Sequence, residues 1–187
     1  MRDCIFIHIG KTGGSSTRVY LAAAAFHNPV WKVHKQHRHL KAVDVRENLG
    51  AKVFDNALKF AVVRHPVDRY ISACRQCKIN ANDPEVWEKI RQGEHPAEGG
   101  KITHHIFVTQ VESTFVDGQQ SCEIFKFEKD LPENLCVWLA EQGLGHPRFG
   151  HKNPAPPKTK KQDLTPETLE FVKDFYACDF EEFGYEP

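Results

Sequence analysis

The chain lacks any apolar run approaching the roughly twenty residues that a membrane-spanning helix needs, so no membrane span is expected. No secretion signal or amino-terminal anchor is expected either, because its first strand-like stretch begins within a few residues of Met1. Without such a signal, its 6 cysteines read as reduced thiols rather than a disulfide framework, and the expected setting is cytoplasmic. There is no internal repeat and no clear linker, so residues 1–187 read as a single domain, long enough for a real core. An excess of either charge is absent too: 25 Lys and Arg face 25 Asp and Glu. No stretch interleaves basic residues with stacking aromatics, which argues against nucleic acid as a partner. With 40% hydrophobic and 27% charged residues, the composition is that of a globular protein and excludes disorder.

The zero net charge hides an asymmetry. Residues 1–80 carry 14 basic against 5 acidic side chains, whereas residues 81–187 carry 11 against 20. A basic amino-terminal half is expected to surround an anionic ligand. A phosphate-cradle pattern lies in that half. Residues 4–9 are an apolar strand, Cys-Ile-Phe-Ile-His-Ile, followed by Gly10, Lys11, Thr12, Gly13, Gly14, Ser15 and Ser16. Two glycines let the backbone bend and approach a ligand closely, and a helix beginning at the serines directs unpaired amides and its positive dipole end at one anion. A Walker A nucleotide loop is excluded by spacing. It would require glycine at position 5, which is Ile5, and the glycines here follow the lysine instead of preceding it.

The remaining pattern alternates strands with helices. A helix over residues 15–26 places Val19, Tyr20, Ala22, Ala23 and Phe26 on one apolar face. Residues 30–34 form a short strand, residues 41–49 a helix stopped by Gly50, and residues 58–63 a second buried strand ending at Arg64. Pro66 starts a helix to about Lys78, and Pro84 another carrying Trp87 and Ile90. Residues 122–127 form a third strand, and a helix from Pro132 closes at Gly143. A basic, proline-bearing loop covers residues 145–161, and a last helix starts at Thr165-Pro166 with Leu169, Val172, Phe175 and Tyr176 towards the core. The fold class expected is α/β, a parallel sheet flanked by helices.

A second anion motif occupies residues 60–73, Phe-Ala-Val-Val-Arg-His-Pro-Val-Asp-Arg-Tyr-Ile-Ser-Ala. Arg64 stands at the carboxyl end of a strand, where ligands of open α/β sheets collect, and Ser72 follows eight residues later on a helix. An arginine and a hydroxyl on two rigid elements can clamp a phosphate. The structural alternative is an Arg64–Asp68 ion pair in a strand–helix corner.

The strand-Lys-Thr-Gly-Gly-Ser-Ser order resembles the 5′-phosphosulfate loop of sulfotransferases, with Gly10 where proline is common. The Arg64 segment is similar to their 3′-phosphate motif, with His65 for the usual asparagine and Val67 for the usual aromatic. Weaker similarities follow in order: His39 and Ala42, Phe127-Glu128 and Leu131, Asn153, and Asp179 with Phe183-Gly184-Tyr185. The chain thus looks like a compact, prokaryotic-style member of the carbohydrate-type sulfotransferases. The resemblance implies a P-loop-NTPase-like sulfotransferase fold, 3′-phosphoadenosine 5′-phosphosulfate as donor, and an acceptor hydroxyl on a small molecule or carbohydrate. It assigns Lys11 to the bridging oxygen and 5′-phosphate. Thr12, Gly13, Gly14, Ser15 and Ser16 take that phosphate through backbone amides and hydroxyls, and Arg64 with Ser72 takes the 3′-phosphate.

A histidine near neutral pH suits removal of the acceptor's proton. Of His34, His37 and His39, the last matches the family's histidine, and His39 is the expected base. His8 reads as a core residue, and His104 and His105 as candidates for the acceptor side. Cys74 and Cys77 share an apolar helix face, and no second cysteine pair stands at zinc-binding spacing, so no metal is expected. A nucleotide kinase or NTPase on a related fold, and a noncatalytic nucleotide-binding module, remain the alternatives.

Overall fold

The structure is a computed structural model that describes residues 2–34, 39–97, 104–145 and 163–187. Its first half runs β1 (Arg2–Ile7), α1 (Gly14–His27), β2 (Trp31–Val33), α2 (Ala42–Leu49), α3 (Ala51–Asn56), β3 (Leu58–Val63), α4 (Pro66–Cys77) and α5 (Pro84–Arg91). The second half continues with α6 (Gln110–Thr114), β4 (Phe115–Val116), β5 (Gln119–Gln120), β6 (Glu123–Lys126), α7 (Glu133–Glu141), α8 (Pro166–Phe175) and α9 (Ala177–Glu182). The basic loop expected over 145–161 falls almost wholly outside the described residues, as do His37 and Asn153.

Four strands form one parallel sheet in the order β2-β1-β3-β6. The central pair, β1 and β3, is apolar on both faces, as a strand covered by helices on each side must be. Successive side chains alternate between faces. Cys4, Phe6, Phe60 and Val62 therefore pack with Tyr20 and Leu21 of α1 and Leu135 and Leu139 of α7. Ile5, Ile7, Ala61 and Val63 pack instead with Val45 of α2 and Phe54 of α3. A third cluster joins Tyr70, Ile71 and Cys74 of α4 to Phe171 and Val172 of α8 and to Tyr176. Cys74 is core packing, as expected from its helix face.

The expected apolar face of α1 is rotated. Thr17, Tyr20, Leu21 and Ala24 are the buried stripe, whereas Val19 is 45% and Phe26 83% exposed. The helix register is fixed at its start, where Gly13 takes a left-handed φ of 82° and its carbonyl accepts the amides of Ser16 and Thr17. The four consecutive alanines at 22–25 carry no pattern that could have revealed this rotation. β1 likewise lies two residues earlier than read, at Arg2–Ile7 instead of 4–9, which leaves His8 and Ile9 to the loop.

Four elements, β4, β5, α3 and α9, lie outside the pattern expected from sequence. β4 and β5 are joined by Asp117-Gly118, both at positive φ, the requirement of a tight two-residue hairpin. α3 follows Gly50 directly. α9 continues beyond Tyr176 and buries Asp179 and Phe180.

Candidate functional site

The loop between β1 and α1 turns twice through left-handed backbone, at Lys11 (φ 70°) and Gly13 (φ 82°). The Thr12 side chain stabilises the turn by donating to the Ile9 carbonyl at 3.0 Å. Its hydroxyl proton is thereby used within the loop, so Thr12 offers an anion its amide, not its hydroxyl. The Ser16 amide is also used, on the Gly13 carbonyl at 3.1 Å. The amides of Thr12, Gly13, Gly14 and Ser15 make no hydrogen bond among the described residues. These four donors surround the start of a 14-residue helix whose dipole favours an anion there.

Both glycines are sterically required. A Cβ on Gly13 would stand 2.9 Å from the Phe127 ring, and one on Gly14 would stand 2.0 Å from the His8 ring. Gly14→Ala is expected to cost about 1–3 kcal/mol of stability through forced displacement of His8, measured by urea unfolding.

The second motif is joined directly to this loop. Arg64, the residue after β3, donates from Nη1 to the Lys11 carbonyl at 3.3 Å. Arg69 on α4 donates from Nε to the preceding carbonyl, that of Gly10, at 3.2 Å. Its Nη2 also reaches the carbonyls of Ile106 (3.1 Å) and Val108 (2.8 Å). Two arginines thus hold consecutive carbonyls of the cradle, and α4 cannot move independently of the loop. Sequence reasoning passed over Arg69, whose partners lie 37 to 59 residues away.

Arg64 and Asp68 form no ion pair within 4 Å among the described residues, so the strand–helix corner is not closed in the structural way considered above. The Arg64 guanidinium lies over the Phe127 ring at 4.8 Å, and its buried Nε has no hydrogen-bond partner among the described residues. Burial lowers its pKa, opposed by the charges of Asp68 and Glu128. A half-buried cation whose Nε is unbonded among the described residues suits a phosphate oxygen.

Along α4, the half-buried positions Asp68, Ser72 and Arg75 recur at helical spacing on one stripe. Gln76, next to Arg75, accepts from Lys11 Nζ at 3.4 Å, which brings the last turn of α4 to the lysine. Burial lowers the Lys11 pKa, and the charges of Arg64 and Arg75 add to the effect. Three cations, Lys11, Arg64 and Arg75, therefore converge on one region. Arg75 was not singled out from sequence, although its place three residues after Ser72 was visible.

His39 lies at the other flank of the loop, beside Gly10, in left-handed backbone (φ 68°). Its Nδ1 is 3.2 Å from the His8 carbonyl. A carbonyl can only accept, so Nδ1 is the donor in this bond. The His8 ring stacks on Phe6, with centroids 5.5 Å apart, and tilts against His39 at 4.7 Å. His8 is thus buried, as expected, but borders the site instead of lying deep in the core. His34 is committed elsewhere: its Nε2 is 2.7 Å from Asp3 near the start of β1.

Behind Arg64 the carboxyl-terminal signature closes the corner. Glu128 accepts from the His65 amide (2.8 Å) and the Tyr185 hydroxyl (3.1 Å), and Lys126 donates to the Gly184 carbonyl (3.0 Å). Among the described residues, no group of three or more His, Cys, Asp or Glu is placed to hold a metal ion. No helix among them is long and apolar enough to cross a membrane.

No curated protein and no solved structure matches the chain. A family model described as the sulfotransferase family does match, over residues 3–127, a span that takes in the Lys11 loop, His39, the Arg64 motif and β6. With two-thirds of its length inside that match and a parallel α/β sheet whose two central strands lead into the Lys11 and Arg64 motifs, this chain belongs to the sulfotransferase family.

Proposed function

We propose that the chain transfers a sulfuryl group from 3′-phosphoadenosine 5′-phosphosulfate to an acceptor hydroxyl, on a small molecule or a carbohydrate, within the cytoplasm. The observation that carries this reading is the 3.3 Å contact from Arg64 Nη1 to the Lys11 carbonyl, which brings both anion grips to one place. Six free thiols agree with a reducing compartment.

The residues fit the donor. Four loop amides unbonded among the described residues and the α1 dipole suit a 5′-phosphate, and the Arg64 guanidinium with the Ser72 hydroxyl suits a 3′-phosphate. The donor supplies an activated sulfur–oxygen bond with a phosphate leaving group. Lys11 places its ammonium where negative charge grows on the leaving oxygen, in a half-buried position where that charge counts for more than in water. Arg64 and Ser72 fix the nucleotide's register, so most of the acceleration comes from positioning. His39, held by the His8 carbonyl, takes the acceptor's proton on Nε2 as the new oxygen–sulfur bond forms.

Labelled sulfuryl transfer from the donor to a panel of glycans and small alcohols tests the reading. Transfer to at least one acceptor is expected. Tight binding of adenosine 3′,5′-bisphosphate without transfer to any acceptor would instead indicate a noncatalytic module. His39→Ala is expected to lower kcat by about 10²–10⁴-fold while binding of the bisphosphate is kept. Full activity in that variant would move the base away from His39.

A further inference from the structure

Arg64 stands just past the end of the sheet. On one side β3 pairs with β6 as far as Val63, with the Phe127 amide still reaching the Val63 carbonyl at 2.8 Å. On the other side pairing with β1 ends at Ala61. The backbone of Arg64 therefore has no strand beside it, yet both of its polar groups are satisfied. The Gln110 side chain takes the place of a strand: its Oε1 accepts the Arg64 amide at 2.8 Å, and its Nε2 donates to the Arg64 carbonyl at 2.9 Å.

Gln110 is fully buried and is itself held from behind. Its amide donates to both Asp179 oxygens, at 2.7 and 2.9 Å, and the Val111 amide donates to the same carboxylate at 2.9 Å. The Gln110 carbonyl accepts from the Thr114 hydroxyl at 2.8 Å. This network links Asp179 on α9, through α6, to the one residue of β3's end that bears the guanidinium.

We infer that Gln110, presented by Asp179, is a positioning residue that fixes the main chain of Arg64 so that its guanidinium meets the 3′-phosphate of the donor at a set angle. The inference rests on the donor reading of Arg64 given above. A long side chain multiplies any small rotation at its Cα, and a charge-assisted hydrogen bond to phosphate depends on direction as well as distance. A group acting in this way affects recognition of the 3′-phosphate and spares the 5′-phosphate end, where the loop amides and Lys11 operate. A group that merely stabilises the fold affects both ends alike.

Calorimetric titration of Gln110→Met with adenosine 3′,5′-bisphosphate and with adenosine 5′-phosphate separates the two. Methionine keeps the length and apolar bulk and removes both hydrogen bonds. The dissociation constant for the bisphosphate is expected to rise at least about tenfold, and that for the 5′-phosphate to stay within about twofold. Gln110→Leu, which likewise removes both hydrogen bonds, is expected to show the same selective loss and serves if the methionine variant does not fold. Equal losses for both ligands, or no loss for the bisphosphate, would overturn the inference. A wild-type protein with no preference for the bisphosphate would overturn both this inference and the donor reading.

Discussion

Lys11→Ala is expected to lower sulfuryl transfer by about a thousandfold and to leave the fold intact. The Lys11 side chain is half-buried, and its one hydrogen bond among the described residues is a long one, 3.4 Å, to Gln76. Its removal strands no buried partner. The loop geometry rests on the Lys11 backbone, whose carbonyl takes Arg64, and on the Thr12–Ile9 bond. Alanine at a left-handed φ of 70° adds little strain beyond what lysine already bears there. Turnover measured at saturating donor, with circular dichroism to verify folding, distinguishes lost catalysis from lost structure.

The same lysine has a pH signature. Burial, Arg64 and Arg75 all lower its pKa from the ordinary 10.5. Between that lowered value and 10.5, the unfolded chain holds the proton that the folded chain has released. Stability of the donor-free protein therefore rises with pH in that window. On the proposed reading the donor meets the ammonium, so its binding is expected to weaken in the same window. Stability and affinity moving in opposite directions as pH rises, and neither doing so in Lys11→Met, is the expected pattern.

Arg69→Met is the change expected to cost most in stability, about 3–5 kcal/mol. Arg69 is 1% exposed and bonds three carbonyls, those of Gly10, Ile106 and Val108. Its charge also favours the ionised form of the buried Asp179, whose pKa burial raises. Methionine fills much of the volume but leaves three carbonyls without their donor and takes away the charge that favours the Asp179 carboxylate, which keeps the amides of Gln110 and Val111. Urea unfolding followed by fluorescence measures the loss. Arg64→Met is the control. It removes a single 3.3 Å bond and a cation over Phe127, so it should cost far less stability while removing discrimination for the 3′-phosphate. On the proposed reading, two arginines five residues apart in the sequence differ in their work: both touch the cradle, but Arg69 spends its donors on carbonyls, whereas Arg64 would also meet the ligand.

The parts of the site legible in sequence were those whose cause is local. The apolar runs of β1 and β3, the glycines that follow Lys11, and Pro66 at the first turn of α4 each announce their backbone within a few residues. The expected parallel α/β sheet followed from their alternation with helices. The α1 face did not, because an alanine run has no preferred side. The β4–β5 hairpin had a local signal in Asp117-Gly118 that was passed over. Long-range contacts had none: nothing near Gln110 in the sequence indicates that its amide would serve Arg64, 46 residues earlier. The Thr12 hydroxyl reads as a phosphate ligand by residue type, and only the turn's geometry shows that it is spent on Ile9.

The most direct test is a calorimetric comparison of adenosine 3′,5′-bisphosphate with adenosine 5′-phosphate on the wild-type protein. Two charge-assisted contacts from Arg64 and Ser72, each contributing about 1.5 kcal/mol or more, predict that the bisphosphate binds one to one and about a hundredfold more tightly. Equal affinities for the two nucleotides would mean that the Arg64 corner and the Lys11 cradle do not grip a single ligand.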